Sequence, residues 1–146
     1  MKRSDKLSLK FSDKKIGFTC SCFDLLHTGH IIMLKDAKEQ CDYLVIGLQT
    51  DPTIDRPDVK HKPIQSLKER NIQLEAVKYI DKIIIYETEN DLYKLLLDLN
   101  PDIRILGDDY KGKSFTGDDL DITIYYHDRN HNYSSTNLRK KICGIT

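Results

Sequence analysis

The sequence predicts an α/β fold: a three-layer sandwich around a mostly parallel five-stranded sheet. Three observations carry that prediction. Short apolar runs rich in β-branched residues alternate with stretches of helical spacing along the whole chain. Several of those runs are apolar throughout, as in strands buried on both faces. Each strand-like run is followed by a helix-like one, which calls for crossover connections and parallel pairing.

The elements follow in order. Residues 16–22 (IGFTCSC) form the first strand, and Thr28 to Gln40 the first helix. Tyr43 to Leu48 (YLVIGL) is a second strand by its β-branched content. Asp51 to Pro63 is a loop, because Pro52, Pro57 and Pro63 fit neither a helix interior nor a central strand. Ser66 caps a helix to about Tyr79, with Ile72, Ala76 and Tyr79 on its buried stripe. Lys82 to Tyr86 is a third strand, and Asn90 caps a helix burying Leu92, Leu95, Leu96 and Leu99. Ile103 to Leu106 is a fourth strand, closed by Gly107-Asp108-Asp109. Asp121 to Tyr126 alternates as an edge strand does, and Ser134 or Ser135 caps a last helix to Ile142.

Composition narrows the function. The chain has 146 residues, enough for one domain at 15–146 behind a basic extension at 1–14. Its 23 basic and 23 acidic residues balance, which argues against a dedicated nucleic-acid binder. No apolar run approaches the ~20 residues of a membrane span, and the first residues lack the apolar core of a secretory signal. Cys20, Cys22, Cys41 and Cys143 read as reduced thiols of a cytoplasmic protein, with no zinc-ligand spacing among them.

The chemistry concentrates in CFDLLHTGHIIMLKDA, residues 22–37. His27 and His30 are three apart at the start of the first helix, beyond the first strand. In parallel α/β sheets, ligands bind at that end of the strands. Thr28 is a suitable N-cap, and Gly29 lets a phosphate approach backbone N–H groups. Each imidazole adds a donor.

This stretch resembles the signature of the cytidylyltransferase family, G-T-F-D-x-x-H-x-G-H, with Ser21-Cys22 standing where the family has Gly-Thr. The closest likeness is to glycerol-3-phosphate cytidylyltransferases, members of the H-x-G-H nucleotidyltransferase superfamily with a Rossmann-like fold. Lys78-Tyr79-Ile80-Asp81 resembles the family's R-Y-V-D. Leu106-Gly107-Asp108-Asp109-Tyr110 resembles its G-D-D-W. Arg129 with Tyr133-Ser134-Ser135-Thr136 resembles its closing R-T-E-G-I-S-T-T.

The resemblance implies transfer of CMP from CTP to a phosphorylated small molecule, with release of pyrophosphate and formation of a CDP-activated precursor. Glycerol 3-phosphate is the default acceptor, with a sugar phosphate, a phosphoalcohol or an N-phosphorylated amide as the other candidates, and capsule or cell-wall polymer synthesis the setting. It implies catalytic roles for His27, His30, Lys62 and Arg129. Nucleotide binding falls to Ser21, Cys22, Phe23, Asp24, Gly29, Gly107, Asp108, Asp109 and residues 133–136. Acceptor binding falls to Lys60, Arg70 and Lys78. Mg2+ is expected with the triphosphate, and Asp24 to orient a lysine or that ion; no acidic cluster specifies a protein-built metal site. A homodimer paired near the H-x-G-H helix is also implied. Two alternatives stand beside this reading: an adenylyltransferase of the same superfamily, and a non-catalytic nucleotide-binding protein.

Overall fold

The computed structural model describes residues 13–144. The expected extension at 1–14 lies almost wholly outside them. Five strands, β1 (Ile16–Ser21), β2 (Tyr43–Gln49), β3 (Lys82–Tyr86), β4 (Ile103–Gly107) and β5 (Thr123–His127), form one sheet in the order β3-β2-β1-β4-β5. Every pairing is parallel. The helices are α1 (Thr28–Glu39), α2 (Leu67–Glu75), α3 (Glu89–Leu99) and α4 (Ser135–Gly144), with a 3-10 turn at Asp108–Tyr110.

Two apolar layers sandwich the sheet, as continuous apolar strands require. On one face Leu34 and Ala37 of α1 and Leu74 of α2 close over Leu44, Ile46, Leu48 and Ile105. On the other, Leu92, Leu96 and Leu99 of α3 close over Ile16, Phe18 and Val45. Each fully buried leucine contributes roughly 1.5–3 kcal/mol. Strand order reverses at β1, whose neighbours are β2 and β4. A crevice therefore opens beyond the C-terminal ends of β1 and β4.

The element boundaries shift where capping chemistry differs from expectation. The N-cap of α1 is His27 rather than Thr28, because its ring accepts the Gly29 N–H. Thr88 rather than Asn90 caps α3, exchanging bonds with Asp91 in a reciprocal box. Ser66 caps α2 as expected, again reciprocally, with Glu69. That helix stops at Glu75, short of Tyr79, and buries Arg70 and Leu74 while Ile72 stays 56% exposed. β5 starts two residues later than expected and runs on to His127, at the sheet edge. Cys20, Cys22 and Cys41 are free thiols.

Candidate active site

The site begins in the turn from β1 into α1. Ser21 keeps strand conformation, but Phe23 and Leu25 adopt φ of 49° and 52°. Side chains with a Cβ resist this left-handed region, at about 1–2 kcal/mol per residue. Asp24 between them anchors the turn. Its carboxylate, 3% exposed, accepts from the N–H of Ile64 and Gln65 at 2.8 and 2.9 Å and from Arg139 of α4 at 2.7 Å. The Leu25 N–H donates to Gln65 Oε1 at 2.8 Å. Those bonds hold the chain in a shape it would otherwise avoid, and that shape delivers the two histidines.

Backbone amides then fix the tautomer of both rings. The Gly29 N–H donates to His27 Nδ1, and the His27 N–H donates to His30 Nδ1, each at 3.1 Å. A ring nitrogen that accepts from an amide carries a lone pair, so each neutral ring bears its proton on Nε2. The rings stack with centroids 3.9 Å apart. Burial, then the nearby His27 and Arg129, pushes His30 down to about 3, against an opposing pull from Asp24. Burial, with Arg129 and His131, also lowers His27. At neutral pH the turn presents two uncharged imidazoles, each protonated at Nε2, and both rings line the cavity.

These rings line a cavity of about 790 Å3. Volumes of about 300–1,000 Å3 suit a small-molecule ligand. The α4 N-terminus borders the same space: Ser134 caps it by accepting the Asn137 N–H at 3.0 Å, and Ser135 and Thr136 reach the lining. Ser135 Oγ lies 3.2 Å from His27 Nε2 and donates to the Asp24 carbonyl at 3.5 Å. Two helix starts thus turn the positive ends of their dipoles toward one cavity. Gly29 makes the junction possible: a Cβ there would stand 2.9 Å from both Tyr133 O and His27 Cε1.

The structure brings together Ser21, Cys22, Asp24, His27, Gly29, His30, Lys60, Gly107, Asp109, Arg129 and residues 133–136 around the cavity. The others stand elsewhere. Phe23 is 1% exposed in the core, its ring 5.5 Å from that of His30. It positions the histidine from behind. Asp108 accepts the Arg129 N–H at 3.3 Å and acts through that loop. Lys62 has a 79% exposed side chain, 3.5 Å from Asp51 and off the lining. The Lys78 ammonium sits 5.4 Å over the Tyr79 ring, away from the cavity.

Arg70 is 2% exposed, and its guanidinium donates to four backbone carbonyls, those of Cys22, Gln49, Thr50 and Gln65. It ties β1, β2 and α2 together, which leaves it no fork for an acceptor phosphate. Asp24 is likewise spent on the backbone and on Arg139, so it does not orient a free lysine or an ion.

Sequence reasoning passed over Gln49, Arg56, Glu89, Arg104, His127 and His131, all on the lining. Only Arg104 carried a sequence signal, a charge inside the apolar strand IRIL. His127 ends β5 with Nδ1 2.8 Å from Asp36, whose carboxylate also accepts from Tyr125 OH at 3.0 and 3.1 Å.

The profile described as cytidylyltransferase-like matches residues 18–141, the span that builds both the sheet and this cavity. The chain belongs to the cytidylyltransferase-like family. It is a nucleotidyltransferase domain, a type to which the H-x-G-H turn and the all-parallel sheet conform. The bifunctional protein HldE of Campylobacter jejuni is 37% identical over 134 residues, covering 92% of this chain and 29% of that protein. The HldE protein of Hyphomonas neptunium is 40% identical over 106 residues, 73% of this chain and 22% of its own length. The chain thus spans under a third of the length of the curated relatives it matches. Among solved structures, the lipopolysaccharide core biosynthesis protein of Thermoplasma volcanium superposes with a TM-score of 0.57 at 26% identity, over 90% of this chain and 88% of that one. Pantothenate synthetase of Thermus thermophilus gives 0.64 at 14% identity, over 97% and 69%, a likeness of fold. No helix among the described residues is long and apolar enough to cross a membrane.

Proposed function

We propose that this protein transfers a nucleotidyl group from a nucleoside triphosphate to a sugar phosphate. The observation that carries the reading is the pair of neutral, tautomer-fixed imidazoles aimed into a cavity bordered by two helix N-termini. One oxygen of the acceptor's phosphate attacks the α-phosphorus in line. The new P–O bond forms as the α–β bridging P–O bond breaks, and pyrophosphate leaves with that electron pair. A phosphate monoester loses its second proton near pH ~6, so the nucleophile needs no base at neutral pH. Catalysis is then alignment and charge stabilisation. The Nε2–H groups of His27 and His30 meet the growing negative charge on the phosphate oxygens, and the positive ends of the α1 and α4 dipoles share that task. Arg129 and Lys60 add cationic donors.

Magnesium is proposed to arrive on the triphosphate oxygens. No three His, Cys, Asp or Glu side chains gather into a metal cage among the described residues.

The sugar-phosphate acceptor takes its support from the 26% identical neighbour described for lipopolysaccharide core biosynthesis. Glycerol 3-phosphate lacks comparable support, since none of the relatives named above bears its name. The family description favours CTP as donor. The 37% and 40% identical relatives are HldE proteins rather than cytidylyltransferases by name, which favours testing ATP on equal terms. Pyrophosphate release is the test, with ATP, CTP, GTP and UTP each paired with aldose 1-phosphates and glycerol 3-phosphate. Turnover with a sugar phosphate and one triphosphate is expected. Folded protein that binds triphosphate and turns over no pair would leave a nucleotide-binding protein. Homodimerisation through α1, where Ile32 is 38% exposed, belongs to the same proposal and is read by sedimentation.

A further inference from the structure

A second buried arginine lies on the α3 side of the cavity. Arg104 projects from β4, in register with Phe18 of β1 and Ile124 of β5. It is 3% exposed and reaches the cavity lining. One N–H donates to the Thr116 carbonyl, and the guanidinium lies 5.2 Å over the Phe115 ring. Its Nε is buried without a partner. No carboxylate among the described residues pairs with it. Glu89, also on the lining, is committed elsewhere: it accepts from Thr116 Oγ1 at 2.8 Å, Gln49 Nε2 at 3.3 Å and Arg56 at 3.4 Å. Beside Arg104 stand the Cys20 thiol and Tyr86 hydroxyl, both raised by burial and both lowered in turn by its charge. Neither of these groups is an anion at neutral pH.

A desolvated cation without a counter-ion is expensive, and proteins keep one where a ligand supplies the missing charge. The nearest ligand of the right sign is the acceptor. The nucleotide's phosphates are served by the histidine corner, while Arg104 lines the same cavity from its α3 side. We propose that Arg104 is the acceptor-phosphate ligand of this enzyme, holding the phosphate monoester on the α3 face of the cavity. The loop of residues 114–117 clamps the guanidinium in place. Thr116 fixes one donor, Phe115 covers one face, and Gly117, at φ +87°, brings its backbone so close that a Cβ would stand 3.1 Å from Arg104 Nη1. The remaining donors form a fork suited to two phosphate oxygens. This assignment rests on the nucleotidyl-transfer reading and supplies the acceptor contact that Arg70 and Lys78 do not make.

The test uses the full chain saturated with the non-hydrolysable α,β-methylene analogue of whichever of ATP and CTP it binds more tightly. Inorganic phosphate is then titrated by calorimetry, with wild type, Arg104→Met and Arg104→Lys. Wild type is expected to bind phosphate. Arg104→Met should weaken that binding at least tenfold and Arg104→Lys by less, with analogue affinity unchanged. A packing role predicts a lowered Tm in Arg104→Met, whereas a ligand role predicts a Tm equal to wild type or higher. Equal phosphate affinity in both variants, or no phosphate binding by the analogue-loaded wild type, overturns the assignment. Loss of analogue binding in wild type would instead overturn the nucleotidyl-transfer reading, so the two failures are distinguishable.

Discussion

Arg70 and Arg104 are the same residue type at nearly the same burial, 2% and 3% exposed, and they do opposite things. Arg70 spends its guanidinium on four carbonyls from three segments. Arg104 spends one bond on a carbonyl and leaves Nε with nothing. Satisfied donors make a scaffold; unsatisfied ones in a cavity wall make a binding surface. The histidines are scaffolded at one ring atom. Their Nδ1 atoms are bound to the backbone, while His27 Nε2 reaches Ser135 Oγ at 3.2 Å on the cavity lining. Charge and burial alone would not have separated these roles.

The sharpest way to break this comparison is Arg70→Met. It strands the carbonyls of Cys22, Gln49 and Thr50 and should lower stability by roughly 3–5 kcal/mol, read by urea denaturation. A loss below about 1 kcal/mol would refute the scaffold role. His30→Gln comes next. Glutamine at that helix position can still accept the N-cap N–H, so Tm should hold, while loss of the ring donor should lower kcat about 10²–10³-fold. Near-normal kcat would remove the ring from the reaction. Gly29→Ala forces apart the His27 ring and the Tyr133 carbonyl, both 2.9 Å from the new methyl. It should lower stability by about 1–3 kcal/mol and turnover with it.

A further test of the histidine corner reads stability against pH. His30 lies at about 3 in the fold against 6.5 when free, so the unfolded chain binds more protons between those values. Stability present above pH 6.5 should therefore fall as pH drops toward 3, and His30→Gln should show a shallower fall. Activity should follow a different curve, rising through about pH 6 with the acceptor phosphate and showing no step from His30.

The fold was largely legible because continuous apolar runs leave little ambiguity: YLVIGL, KIIIY and IRIL all became paired strands, although KIIIY lies at the sheet edge with Ile85 exposed. Caps moved by one or two residues because histidine and threonine took positions expected of threonine and asparagine. The H-x-G-H corner was legible because its ligands are neighbours in sequence. The rest depended on distant contacts. Nothing local in LKERNIQLE says that Arg70 turns inward to bind carbonyls up to 48 residues away. Nothing local says that Phe23 and Leu25 will be held left-handed by a carboxylate tied to residues 64, 65 and 139. Arg104 alone announced itself, as a charge where the pattern demanded an apolar residue.

Nitrogen-15 NMR of the histidine rings tests the central claim most directly. With wild type at neutral pH, His27 and His30 should both appear as neutral rings protonated at Nε2. Saturation with a non-hydrolysable triphosphate analogue should then move both Nε2–H resonances while leaving each Nδ1 a lone-pair nitrogen. Rings protonated at Nδ1, or Nε2–H signals unmoved at saturating analogue, would contradict the account.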